Sequence, residues 1–355
     1  MKRKAQIPLR AEVERIGFRY HPIEGRAGKL RLDFNENTVG CSPRVLAVLR
    51  RTTREQAAMY PEYDAARREL ARSFGVRAGE LLITNGADDG LRLVSDAYIG
   101  RGDRVLVVEP TFPIYRFYPG MAGAKFTTLH YDAEMRFPLD EVLRELRRRK
   151  PRAFFLANPN NPTGTLVERP ALRRILDAAP RTVVILDEAY SEFSGVTAKD
   201  WIRRYPHLVI TRTFSKGAGL AGLRIGVVLA ARETIAAMRR AHAPFPVNSL
   251  AVAAALAAVK DKAYIRGYVA EVKRSRAALA QFLAARGVKV YPSAANFMLA
   301  DFGAARAPRM LRGLAQQGIL LRDRTSDFGR PGYVRITLGT MAQTRRLLRA
   351  LRGLL

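Results

Sequence analysis

AFFLANPNNPTGTLVERPALRRILDAAPRTVVILDEAY (153–190) holds the organisation of the whole chain in one stretch. Its two apolar runs, AFFLA and VVIL, lack the alternation of a half-exposed strand and read as strands buried on both faces. Between them PALRRILDAA carries the 3.6-residue apolar period of an amphipathic helix. Outward from this unit, LLIT (81–84), RVLVVEP (104–110), LVITRT (208–213) and GVVLA (226–230) repeat the strand pattern, and GLRLVSDAYIG repeats the helical one. The expected fold is therefore α/β, a mostly parallel sheet covered by helices. After APFPVNSL (243–250) the texture changes: a long helical pattern over 251–286 precedes KVYP, NFMLADF, a helix near 307–317, ILLRD, VRITLG and a final Arg/Leu helix. That is an α+β pattern, suited to a second, smaller domain.

The 355 residues, 48% hydrophobic and 26% charged, have ordinary globular composition and exclude a disordered tail protein. No apolar run reaches the roughly 18 residues of a membrane span, and MKRKAQIPLRAEVERIG at the start has positive charge but no apolar segment behind it. A cytoplasmic protein is expected. Cys41 is the single cysteine, which excludes an internal disulfide and any cysteine cage for a metal. His21, His130, His207 and His242 lack metal-ligand spacing, so no metal site is expected and each reads as a loop or surface residue. Lys and Arg number 61 against 32 acids, a net charge of +29. Such a field attracts anions of every kind. The basic residues, however, are spread over helical patterns such as LRELRRRK (143–150) and TRRLLRALR (344–352), and the signatures of RNA-binding, zinc-finger and basic-zipper modules are absent. Solvated helix faces account for them, and nucleic-acid binding is the rival reading.

Four features fall at the ends of predicted strands. In TRTFSKGAGLAGLRIG (211–226), Lys216 follows a strand among small residues; enclosure there lowers a lysine's pKa and suits Schiff-base chemistry, while a solvated lysine is the plainer reading. Asp187 ends VVILD at the crevice where open α/β sheets bind ligands. A protonated pyridine nitrogen would satisfy it, and so would a role as helix cap or magnesium ligand; Glu188 beside it reads as structural. NGADDGLRLV (85–94) opens a helix with a glycine turn, so the N–H groups near Gly86, Ala87 and Asp88 form a phosphate site or an ordinary helix start. Asp88 and Asp89 themselves read as helix-start residues. NPNNPTG (158–164) presents the Asn161 amide after AFFLA. Amine, carboxylate, amide and anion-binding helix start together are what a phosphorylated pyridine aldehyde needs.

In this order and at these separations, the motifs resemble the class I/II aminotransferases that use pyridoxal 5′-phosphate, and within them the histidinol-phosphate aminotransferase branch. The resemblance spans nearly the whole chain, from LDFNENTVGCSP (32–43) and YPE (60–62) to ANFMLADF (295–302), GILLRD (318–323) and VRITLGT (334–340). It implies the aspartate-aminotransferase fold (fold type I), a large α/β domain with a seven-stranded sheet plus a small α+β domain. The implied divisions are an arm at 1–39 that joins the small domain, a large cofactor domain at 40–245 and a small domain at 246–355. Lys216 becomes the Schiff-base lysine and Asp187 the partner of the ring nitrogen, with Asn161 and Tyr190 on the ring's phenolic oxygen. Phe112 takes the place of the stacking aromatic. Ser215, Arg224 and the amides of Gly86, Ala87 and Asp88 hold the phosphate, with Tyr60 reaching it from a second subunit of a homodimer. Arg335, Arg322 and Tyr20 are the implied substrate-binding residues, and histidinol phosphate with 2-oxoglutarate the implied substrates of histidine biosynthesis. An aromatic or other amino-acid aminotransferase is a second reading. A threonine-phosphate decarboxylase is a third, suggested by PFPVNSLA and RDRTSDFG. The sequence departs from the family pattern at NENTVGCSP and at GADD.

Overall fold

A computed structural model describes residues 7–16 and 24–355. Tyr20 and His21 lie outside the described residues. Twelve strands are present among those described: β1 (Leu30–Leu32), β2 (Leu81–Thr84), β3 (Arg104–Glu109), β4 (Lys125–His130), β5 (Ala153–Ala157), β6 (Val183–Asp187), β7 (Leu208–Thr213), β8 (Gly226–Ala230), β9 (Lys289–Val290), β10 (Phe297–Asp301), β11 (Ile319–Asp323) and β12 (Tyr333–Thr337). Seven form one sheet in the order β2-β8-β7-β6-β5-β3-β4, parallel except for β8, which runs against both neighbours.

Successive residues of a strand point to opposite faces, and the central strands feed two cores in turn. Leu106 and Phe154 enter the core beneath the helices Tyr63–Phe74, Leu139–Arg149 and Arg169–Ala178, while Val107 and Phe155 enter the core beneath Gly86–Tyr98, Ile114–Met121 and Arg232–Arg239. The apolar runs are continuous because both faces are covered. β4 departs from that rule: KFTTLH lies at the sheet edge with no residue fully buried, so its strand carries no apolar run.

The second sheet has the order β1-β11-β12-β10-β9, with β1 from the N-terminal region parallel to β11. Its core holds Leu32, Phe297, Met298, Ile336, Leu347 and Leu351. The helical pattern expected over 251–286 forms two helices, Ser249–Lys260 and Lys262–Ala284. Asp261 ends the first and caps the second, its side chain accepting from Tyr264 N at 3.3 Å. Ser249–Lys260 packs on the helices Pro43–Arg50 and Tyr63–Phe74, and Ala251, Ala254 and Ala255 enter the larger core. By packing this helix therefore goes with the larger sheet, although the reading above assigns residues from 246 onward to the smaller domain. Among the described residues no helix is long and apolar enough to cross a membrane.

One close approach fixes the sheet where the candidate functional residues gather. β8 starts at the edge where β2 and β7 end, pairing Gly226 with Thr84 and Thr213. A Cβ on Gly226 would stand 2.6 Å from the Arg212 carbonyl oxygen and 2.7 Å from the Ala87 amide nitrogen, both backbone atoms that cannot swing away. Gly226→Ala is therefore expected to destabilise the fold by about 3 kcal/mol, read as a lower urea midpoint at unchanged m-value.

Candidate active site

The carboxyl ends of β3, β5, β6 and β7 open on one edge of the large sheet, and each hands over to a loop that turns a functional side chain into the crevice. Asp187 closes β6 and is 6% exposed. Its Oδ2 accepts from the Tyr115 hydroxyl at 2.7 Å and its Oδ1 from the Ala189 amide at 3.1 Å. Among the described residues no cation pairs with it. Burial pushes its pKa up to about 6, opposed by the Tyr115 hydrogen bond.

Lys216 follows β7, and its Nζ donates to the Phe34 carbonyl at 3.1 Å. That ammonium lies 5.8 Å from the Tyr190 ring centroid. Burial, with the positive field of Arg335, lowers its pKa to about 8. Tyr190 itself is buried; its hydroxyl accepts from Asn35 Nδ2 at 3.1 Å and its ring meets Phe297 edge to face.

Asn161, in the loop after β5, accepts through Oδ1 from Arg335 Nη1 at 2.5 Å, which leaves its amide N–H groups for another acceptor. Arg335 comes from β12 of the second sheet, 5% exposed, with Nη2 on the Asp33 carbonyl at 2.5 Å and a buried Nε that has no partner. Burial and the neighbouring Arg324 drive its pKa down to about 9. Arg322 is paired in register with Arg335 across β11 and β12, and its guanidinium lies 5.4 Å from the Phe34 ring centroid.

The helix start beyond β2 forms a separate corner. Gly86 has φ +78°, and a Cβ there would stand 2.8 Å from Arg224 Nη2. Arg224, at φ +53°, pairs with Asp88 at 3.1 Å. Ser215 receives the Thr213 hydroxyl at 2.9 Å. Asp89 accepts from the Asn85 amide, and His242, expected as a loop or surface residue, turns a largely buried ring toward Asp89 at 3.7 Å. Phe112 meets Tyr115 edge to face with centroids 5.8 Å apart. Glu188 takes the structural place expected of it, holding Arg212, Thr197 and the Ala198 amide. Tyr60 stands apart from this crevice: it is 75% exposed and stacks on the half-exposed Phe245 at 4.4 Å. Groups of acids, histidines and cysteine able to hold a metal are absent among the described residues.

Several residues of the site carry no strand-end signal. Asn35, at φ +55°, donates to Tyr190 and exchanges hydrogen bonds with Thr337, while Asn37 donates to the Gly217 carbonyl. Asn35 and Asn37 sit in LDFNENTVGCSP (32–43), a stretch that carries the family resemblance but no strand-end pattern. Arg324, 9% exposed, pairs with Asp327 beside Arg335.

The family described as Aminotransferase class I and II matches residues 27–351. The chain belongs to the class I and II aminotransferases. It is 38% identical over 332 residues to a protein of Symbiobacterium thermophilum named histidinol-phosphate aminotransferase, covering 92% of this chain and 90% of that one. The crystal structure of histidinol-phosphate aminotransferase from Sinorhizobium meliloti in complex with pyridoxal 5′-phosphate superimposes with a TM-score of 0.88, at 25% identity and covering 99% and 100% of the two chains. L-threonine-O-3-phosphate decarboxylase from Porphyromonas gingivalis superimposes with a TM-score of 0.79, at 26% identity over 91% and 98%.

The family cofactor is pyridoxal 5′-phosphate, and the residues present fit it. Asp187 is a buried carboxylate lacking the cation that a protonated ring nitrogen supplies, and Lys216 is a buried amine with a depressed pKa. The Asn161 amide is open to an acceptor, and the left-handed turn at Gly86 brings the Arg224 guanidinium against the start of the helix. In cofactor-free protein, acylation of Lys216 is expected to rise through about pH 8, because the amine loses its proton there. Peptide mass spectrometry reads the labelled fraction; a rise only near the ordinary 10.5 contradicts the enclosure of this lysine.

Proposed function

We propose that this aminotransferase moves an amino group between histidinol phosphate and 2-oxoglutarate, a step of histidine biosynthesis, in the cytoplasm. The observation that carries the reading is the meeting of Lys216, Asp187, Tyr190 and Asn161 on one sheet edge with Arg335 brought in from the other sheet. Relatives named histidinol-phosphate aminotransferase support the substrate class.

Bound here, the cofactor supplies an electron sink for the pair left when a proton departs the substrate's α-carbon. The chain's residues do the rest. Lys216 Nζ would anchor the cofactor through its aldehyde carbon and, in its neutral form, would take the α-proton; its proximity makes the transfer intramolecular. Asp187 holds a proton on the ring nitrogen, and the Tyr190 hydroxyl and Asn161 amide hold the phenolic oxygen. Ser215, Arg224 and the amides of Gly86, Ala87 and Asp88 hold the phosphate group, and Phe112 stacks on the ring. Arg335 and Arg322, with Tyr20 from the segment outside the described residues, receive the substrate's anionic group. Glutamate and 2-oxoglutarate use the same guanidinium fork through a carboxylate.

The exposed pair Tyr60 and Phe245, beside the exposed Met59, suits a second copy of the chain, so the working unit is a homodimer in which Tyr60 serves the partner's phosphate site. Sedimentation should give a dimer. Tyr60→Ala is expected to weaken cofactor affinity about tenfold, through loss of one charge-assisted hydrogen bond.

Borohydride trapping followed by mass spectrometry is the direct test: the adduct is expected on Lys216, and its absence or location elsewhere overturns the assignment. Offering histidinol phosphate and threonine phosphate separately distinguishes glutamate formation from release of carbon dioxide, the outcome favoured by the likeness to the decarboxylase. Arg322→Ala should cut kcat/KM for phosphorylated amines about 100-fold and spare uncharged analogues. Equal losses for both remove Arg322 from phosphate recognition.

A further inference from the structure

Tyr115 ends PTFPIY (110–115), three residues beyond Phe112, and no role is read for it there, yet it touches the group on which the site's electronics turn. Its ring is 1% exposed, stacked on Phe155 with centroids 5.6 Å apart and planes 25° apart, and met at its edge by Phe112. The helix Ile114–Met121 and β5 thus fix the ring from two sides, leaving the hydroxyl one direction to point. It donates to Asp187 Oδ2 at 2.7 Å across 72 residues of chain. With the Ala189 amide on Oδ1, both carboxylate oxygens are tied and the carboxyl plane is set.

We propose that Tyr115 is a positioning residue for the cofactor's ring nitrogen, its hydroxyl fixing both the orientation and the ionised form of Asp187. This rests on the pyridoxal 5′-phosphate reading above. The chemistry is one-sided: a phenol donates to a carboxylate but gains little from a neutral acid's carbonyl, so its hydrogen bond favours the charged state. Burial and Asp187 raise the phenol well above its usual pKa, so it remains a donor throughout the neutral range. The carboxylate needs that help because burial alone favours its neutral form, and a neutral acid cannot pair with a protonated ring. The Thr211 side chain and the Ala189 amide act in the same direction, each more weakly than the phenol. Asp88, from the helix Gly86–Tyr98, opposes ionisation, and Tyr190 gives its hydroxyl to Asn35 as acceptor. Tyr131 acts on the phenol only from a distance.

The test is the pH dependence of pyridoxal 5′-phosphate affinity in cofactor-free protein, measured by equilibrium dialysis through the titration of Asp187 near pH 6. In the parent, affinity falls as Asp187 takes up its proton. Tyr115→Phe removes the hydroxyl and keeps the stacked ring; the midpoint of that fall is expected to rise by about one pH unit. 3-Fluorotyrosine at 115, a stronger donor of nearly the same shape, moves the midpoint down and keeps the test alive if the phenylalanine variant fails to fold. Tyr115 is not among the groups that shift Lys216, so the lysine's titration, lowered to about 8 in the parent, is expected to cancel in the comparison. In an Asp187→Asn background, loss of the hydroxyl should no longer shift the curve. Unchanged midpoints in both Tyr115 variants, with the parent binding normally, overturn the role of Tyr115 alone. A parent that fails to bind the cofactor overturns the functional reading instead.

Discussion

Three ionisable groups withdrawn from water on one sheet edge set the terms for the rest of this molecule. Asp187, Lys216 and Arg335 are each driven by burial toward their uncharged forms, the acid upward and the two bases downward. Desolvation of unpaired charge costs several kcal/mol per group, and a fold spends stability that way where chemistry requires it. The large apolar cores above and below the sheet make the expense tolerable. Among the described residues Asp187 meets no cation and Arg335 Nε no acceptor, and in the function proposed above the cofactor and an anionic substrate supply them.

The two sheets divide this labour. The larger one holds the amine, carboxylate and amide on rigid strand ends, where positions are set by backbone pairing rather than by flexible loops. The smaller one contributes the arginines, Arg322 and Arg335 side by side in register on β11 and β12, with Arg324 and Asp327 behind them. Asp327, beside these guanidinium groups, pairs with Arg324. Under the proposed function, discrimination among substrates by anionic charge would fall to this sheet and the carbon chemistry to the other.

Much of this was legible in the sequence. AFFLA, VVILD and LVITRT announce themselves because strands covered on both faces need no polar alternation, and the residues just beyond them fall at the crevice by topology alone. Lys216, Asp187 and Asn161 could be singled out for that reason. β4 could not, since an edge strand with Thr127 and Thr128 carries no continuous apolar run. The break at Asp261 was hidden by alanine-rich helix formers on both sides. Tyr115 and Asn35 were hidden for a deeper reason: they lie 72 and 155 residues from the groups they bind, and such approaches exist only after the chain has folded. Tyr20 is read from sequence alone.

The short arm segment 33–37 joins the two bodies built on the two sheets. Asn35 is held by Thr337 and Asn296 of the smaller body, Asn37 holds Gly217 of the larger one, and between them the Phe34 carbonyl receives the Lys216 ammonium while its ring lies against Arg26 and Arg322. Five residues therefore tie the two bodies together, with the Lys216 ammonium and the Arg322 guanidinium both resting on Phe34. A displacement of Phe34 would reach both contacts at once.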